Sequence, residues 1–218
     1  MILRQAMDFT VDGDVRFLAH SDMLRLFARA TSRAGLPVHH SLGFNPHPQI
    51  SLPLPRSVAM ASTAERVIIG LDEPIAPQEA LARLAAEMPA GIRITRAWEL
   101  RPTDTCLPVR AAYRIGLATD AAPDVAVLSE RVSALLQSAA CRVQRRSPKH
   151  PGGKSLDIRP YVERLEVVAG NEKWPIELDM LLRITPAGSA KPAEICQALE
   201  INLSAVRHFI RRVEVEWQ

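Results

Sequence analysis

The residue types best suited to chemistry gather between Gly13 and Ser51, in GDVRFLAHSDMLRLFARATSRAGLPVHHSLGFNPHPQIS. Imidazole titrates near neutrality, so His20 and His47 are candidates for general acid–base work of the kind that metal-independent RNA cleavage uses. For His47, held between Pro46 and Pro48, the alternative is to shape its loop by hydrogen bonding. His39 and His40 are adjacent, so on an extended segment they point to opposite sides and cannot easily share a metal. A set drawn from His20, one of that pair and His47 would lack both a cysteine and a supporting carboxylate, and no metal is expected.

Cationic side chains recur with a period. Arg25, Arg29 and Arg33 stand at every fourth residue, and a guanidinium fork suits phosphate or carboxylate, so an anionic ligand along this helix is expected. The plainer alternative is a solvent-facing stripe. A second basic segment, Arg142, Arg145, Arg146, Lys149 and Lys154, contains no acidic residue and is interrupted by Ser147-Pro148 and Gly152-Gly153. A phosphate backbone would be drawn to such a loop, because each neutralised phosphate releases a counterion; the alternative is a solvated hairpin tip. Asp157 and Arg159 alternate, so on a strand they share a face and can pair to orient the loop's base. Arg16 and Asn45 complete the candidate ligand set. Aromatic content of 5% leaves little for a base-stacking platform, whereas shape-based recognition of structured RNA needs arginine more than rings.

The elements that must position these residues follow from periodicity. Ile2 to Thr10 alternates as a strand, Asp12-Gly13-Asp14 turns, and Val15 to Leu18 reads as extended. Ser21 is the expected N-cap of a helix whose apolar face is Met23, Phe27, Ala30 and Ala34, and which Gly35 stops. Val38–His40 and Gln49–Leu52 read as extended, Ala64–Leu71 as a strand, Pro77–Met88 as a helix and Ile92–Leu100 as a strand. The order is βαββαβ. Residues 101–110 read as a Pro-containing linker. Beyond it come a strand at 111–118, a helix at 124–138, a strand at 141–146, a long excursion, a strand at 176–185, a helix at 192–199 and a strand at 210–217. The expected fold is therefore α+β, a tandem ferredoxin-like duplication of βαββαβ units at 1–100 and 111–218, the second with its basic loop at 142–154.

A chain of 218 residues with 47% hydrophobic content can bury one sizeable core or two small ones. It contains no apolar run of the roughly 20 residues that span a bilayer, and its N-terminus lacks a signal-peptide layout, so no membrane is involved and a cytoplasmic location is expected. Three scattered cysteines, Cys106, Cys141 and Cys196, argue against a disulfide framework or a clustered metal site and read as small buried hydrophobes. A net charge of +3 permits a nucleic-acid partner without demanding one.

The stretch RFLAHSD, then Arg25 and Arg29, then GLP and GFNPHP, resembles the signature of the radical-SAM-linked proteins, a bacterial family of unknown biochemical function. Further matches lie in GGKSLDIRPYVERL (Gly152 to Leu165) and, more weakly, in GSAKPAEICQAL (Gly188 to Leu199). The chain departs from the family pattern after GFNPHP, where LPLPRSVAM (Leu52 to Met60) has Pro55 and no glycine, so a turn needing positive φ is lost or moved. The resemblance implies a genetic partner, a cobalamin-type radical-SAM protein. This chain lacks the three closely spaced cysteines that hold an iron–sulfur cluster, so it is not expected to be the radical enzyme or to carry a cofactor. The expected function is a non-catalytic RNA-binding or substrate-presenting accessory protein for a separate radical-SAM enzyme in RNA modification. A protein–protein adaptor docking that enzyme, and a histidine-dependent ribonuclease, are the alternatives.

Overall fold

A computed structural model describes residues 2–118, 122–147 and 150–218, without the side chains at 146, 147, 150 and 151. The chain divides into two compact units, Met1–Pro108 with Trp217–Gln218, and Val109–Glu216. Both mix α-helix with β-sheet, and four α-helices occur among the described residues.

In the first unit, β1 (Leu3–Val11) lies between β3 (Met60–Leu71) and β4 (Ile92–Leu100), antiparallel to both. The two-residue β2 (Ile50–Ser51) pairs with β3 through Ile50↔Ile69 and Ser51↔Ile68, giving the order β4-β1-β3-β2. Helix α1 (His20–Arg33) links β1 to β2, and α2 (Pro77–Ala86), opened by its proline, links β3 to β4. Period-two alternation along β1 buries Met7, Phe9 and Val11 in the core that takes Met23, Phe27 and Ala30 from α1 and Ala80 and Leu84 from α2. Phe9 and Phe27 meet edge to face with centroids 4.9 Å apart. Burying a side chain of this kind stabilises by about 1.5–3 kcal/mol relative to exposure.

Two local expectations are corrected here. Gly13–Phe17 is a 3-10 turn rather than an extended segment, because the Asp12 side chain accepts from Gly13 N–H at 2.9 Å and Gly13 takes a φ of 59°. Helix α1 begins at His20 with Ala19 as its N-cap, so Ser21 lies inside it and no side chain caps the first turn. The glycine-free Leu52–Met60 segment keeps a positive-φ residue, Ala59 at 67°, whose N–H donates to Arg16 O at 2.9 Å.

In the second unit, β5 (Pro108–Leu117) and β8 (Val162–Ala169) both pair antiparallel with β9 (Ile176–Thr185). The strand β11 (His208–Trp217) lies beside β5, giving the order β8-β9-β5-β11, and the short β10 (Gly188–Ser189) pairs with the end of β9. Helix α3 (Val125–Gln137) is capped by Asp124, whose carboxylate accepts from Ala126 N–H at 2.8 Å, and α4 is Pro192–Ala198. The segment expected as a strand at 141–146 is β6 (Arg142–Ser147), but it does not join the sheet. It pairs with β7 (His150–Asp157) as a separate hairpin, and β8, whose VERLEVVA stretch buries Val162 and Leu165, takes the place beside β9.

Candidate functional site

Helix α1 is amphipathic: Met23, Phe27 and Ala30 are buried, and the four-residue spacing carries Arg25, Arg29 and Arg33 along one side. These arginines line a groove of about 610 Å³ closed by Leu26, Met88 and Pro89. Arg25 Nη1 donates to Asp22 Oδ1 at 2.7 Å, with 68% of its side chain exposed. Arg33 donates from Nε to Glu87 Oε2 at 2.7 Å and from Nη2 to Glu87 O at 2.8 Å, so it caps the C-terminus of α2, where a cation is favoured. Between them Arg29 is exposed and makes no hydrogen bond or ion pair with the described residues. Exposed ion pairs contribute only about 0–1 kcal/mol, so an anion meeting Arg29 can also recruit Arg25 from Asp22.

The histidines each make separate local contacts. His20, half-buried at the start of α1, lines a gap of about 10 Å³ with Phe9, Met23 and Glu65, room for no more than a water. His47 is exposed, and its main chain closes the loop: its N–H donates to Ser41 Oγ at 3.0 Å and its carbonyl accepts from Ser41 N–H at 2.9 Å. His39 Nδ1 meets Asp72 Oδ1 at 2.6 Å and His40 Nδ1 meets Val38 O at 2.8 Å. Among the described residues no group of three or more His, Cys, Asp or Glu is placed to hold a metal. Asn45 is exposed in the same loop, whose tip holds Leu42, 98% exposed, and the fully exposed Phe44. Arg16 stacks over Phe17, 4.5 Å from the ring centroid, and donates to Gly13 O at 3.2 Å.

The basic hairpin divides. Arg145 is bound bidentately to Glu194, at 2.5 and 2.7 Å, and donates to Ser189 O at 2.6 Å; the Glu194 carboxylate holds its guanidinium still more firmly protonated. It is a structural tie from β6 to α4. Lys154, opposite it in the β6–β7 register, is exposed without a hydrogen bond or ion pair among the described residues. Lys149 and the side chain of Arg146 lie outside the described residues. Asp157 and Arg159 orient the hairpin base through the backbone instead of as a side-chain pair. The Asp157 carboxylate accepts from Cys141 N–H at 2.8 Å and Arg159 N–H at 3.1 Å, which lowers its pKa. The Arg159 side chain donates to Leu136 O at 2.7 Å and Val162 O at 3.0 Å. Cys196 is buried in α4, and burial pushes its thiol up to about 12.

Sequence reasoning missed Arg56, whose guanidinium donates to the carbonyls of Arg16 at 2.7 Å, Met60 at 2.5 Å and Leu18 at 3.2 Å. It ties the turn before α1 to the start of β3, and no local periodicity announces such a link.

The family model described as an uncharacterized protein conserved in bacteria (DUF2344) matches residues 4–192. The chain belongs to this family. The DUF2344 match takes in α1, the 41–47 loop, the β6–β7 hairpin and the first residue of α4. No curated protein matches the chain. Among solved structures, one described as an unknown protein from Galdieria sulphuraria is 12% identical, covering 98% of this chain and 99% of that one, with a TM-score of 0.29. Another, described as "putative glycine cleavage system transcriptional repressor", is 10% identical over 96% of each chain, with a TM-score of 0.27. At such TM-scores neither likeness carries weight for the fold or the function of the DUF2344 chain. No helix among the described residues is long and apolar enough to cross a membrane.

Proposed function

We propose that this DUF2344 protein is a cytoplasmic RNA-binding or substrate-presenting module that supplies no catalytic group itself. It works beside a separate cobalamin-type radical-SAM enzyme, the partner that its resemblance to the radical-SAM-linked proteins implies, in modification of RNA. Its two units are read as a tandem ferredoxin-like duplication. What supports that reading is the correspondence of β4-β1-β3-β2 with β11-β5-β9-β8, strand for strand, with helices after the first and third sheet strands of each.

The observation that carries the functional reading is Arg29: an exposed guanidinium with no partner among the described residues, centred in a groove between two further arginines. Its donors suit phosphate, and double-stranded RNA is recognised mostly by shape and backbone. Anisotropy of a labelled RNA hairpin, titrated across salt concentrations, tests it. Affinity is expected to fall steeply with salt, and Arg29→Ala to weaken binding and reduce the salt slope by about 1. Binding that ignores salt and Arg29 sinks the proposal.

A second reading, a protein adaptor that docks the radical enzyme, is favoured by Leu42 and Phe44. Two neighbouring apolar side chains on a loop stiffened by Pro46 and Pro48 are suited to a protein partner. Co-purification of the radical enzyme that survives ribonuclease and is lost on changing Phe44 to Ser supports the adaptor over RNA.

A further inference from the structure

The second unit carries a site outside the signature motifs. Along β5 and β9 alternate residues such as Ile115, Leu117, Leu178 and Met180 are buried, and the opposite sheet face is charged. There Asp179 accepts from Arg114 at 3.0 Å and Arg164 at 2.7 Å. At one end of this face the rings of Trp174 and Phe209 lie nearly parallel, 17° apart with centroids separated by 6.2 Å. They line a groove of about 400 Å³.

The groove is built. A Cβ on Gly116 would come within 2.7 Å of the Trp174 Cβ and Cγ, so the missing side chain makes the seat for the indole. The turn that presents Trp174 is fixed by Asn171, whose Oδ1 accepts from Lys173 N–H at 3.0 Å and Trp174 N–H at 3.1 Å. Two cations accompany the rings: Lys173 Nζ lies 5.6 Å from the Trp174 centroid and the Arg211 guanidinium 5.2 Å from that of Phe209. Glu177 also lines the groove, half-buried and without a hydrogen bond or ion pair among the described residues.

We propose that this groove binds a nucleotide, its base stacked against Trp174, its phosphate held by Lys173 and Arg211, and its base edge read by Glu177. Stacking on an aromatic side chain is available to every base, so the rings supply affinity without choice. The paired cations favour an anionic ligand and disfavour the ammonium groups that aromatic pockets otherwise attract. A carboxylate accepts and never donates, so Glu177 selects a base edge that presents N–H donors. Guanine offers two adjacent ones, N1–H and the N2 amino group, matching the two oxygens, and is the preferred base. The ligand is either a free guanosine nucleotide or a guanosine within a single strand. The site stands independently of the groove on α1.

Calorimetric titration of the full-length protein with GMP, AMP, UMP and a single-stranded heptanucleotide containing one guanosine tests this, with tryptophan fluorescence as a second signal. GMP or the heptanucleotide is expected to bind and to quench fluorescence. Stronger GMP binding identifies the free nucleotide, and stronger heptanucleotide binding identifies the strand. Trp174→Ala is expected to abolish binding, and Glu177→Gln to reduce the preference for guanine by about tenfold or more. Lys173→Glu, at an exposed position, is expected to weaken every ligand and keeps the test readable should Trp174→Ala not fold. Arg29→Ala is expected to leave GMP binding unchanged, which separates this site from the α1 groove. Binding of no nucleotide or oligonucleotide, or binding indifferent to both Trp174→Ala and Lys173→Glu, overturns the proposal.

Discussion

Arg145 and Arg29 show how little a residue type alone says about its role. Both are arginines in basic stretches, yet Arg145 is spent on Glu194 and Ser189, whereas Arg29 has no partner among the described residues. The Glu194 side chain is only 8% exposed, and among the described residues its other hydrogen bond comes from Lys191 N–H at 2.8 Å. Removing the guanidinium leaves a carboxylate largely withdrawn from water, which is costly for a charge without its counterion. Arg145→Ala is therefore expected to destabilise the second unit by about 2–3 kcal/mol, read as a lower urea midpoint. An unchanged midpoint would show that water replaces the guanidinium. Lys154→Ala, across the hairpin, is expected to leave the midpoint within about 0.5 kcal/mol, as for an exposed residue without partners.

At the scale of elements, the Leu52–Met60 segment holds a left-handed backbone position without a glycine. Ala59 holds a φ of 67°, where a Cβ costs roughly 1 kcal/mol, because its N–H donates to Arg16 O and the Arg56 guanidinium gathers the carbonyls around the turn. Ala59→Gly relieves that strain and is expected to raise stability by about 0.5–1 kcal/mol, less the greater freedom glycine gains when unfolded. A lower thermal midpoint for the variant would mean that unfolded-state entropy outweighs the strain.

The base of the β6–β7 hairpin responds to pH. Two backbone N–H groups, those of Cys141 and Arg159, hold the Asp157 carboxyl below its ordinary value of 3.8. A carboxyl depressed in the folded state stabilises fully above its ordinary pKa, and this contribution is lost as pH falls through the lower folded-state value. Glu163, lowered chiefly by Arg183 and then by Arg110, acts in the same direction. The stability gap between wild type and Asp157→Asn is thus expected to be widest at pH 7 and to narrow towards about pH 2. Urea midpoints at both pH values measure this, and a constant gap would contradict it.

At the scale of the whole molecule, the chain's last two residues belong to its first unit. Gln218 exchanges backbone hydrogen bonds with Leu107 at 2.8 and 3.2 Å, and its carbonyl also accepts from Thr105 Oγ1 at 2.9 Å. The Arg66 guanidinium, paired with Asp8 at 2.8 Å, lies 4.4 Å from the Trp217 ring centroid and 4.5 Å from that of Trp98. Deleting Trp217–Gln218 removes one ring from Arg66 and the partner from Leu107, and is expected to cost the first unit about 1–2 kcal/mol. Hydrogen exchange should accelerate at the Leu107 amide, far from the deletion in sequence; unaltered protection there would refute the link.

The sequence by itself determined what depends on near neighbours. The alternation of β1, the proline start of α2 and the Gly35 stop of α1 need only residues within a few positions, so their signals are local. The arginine spacing on α1 was legible for the same reason, because helical geometry converts a period of four into one face. Only the tertiary structure decided which cations remain available. Arg145 meets Glu194 across 49 residues and Arg33 meets Glu87 across 54, and no period in the chain encodes such encounters. It decided too that β6 leaves the sheet to pair with β7, since strand propensity fixes extension and not the partner. The pairing of Trp174 with Phe209 belongs here as well. A low aromatic content argued against a stacking platform, but two rings suffice once a hairpin turn, a strand and the bare backbone of Gly116 bring them to one place.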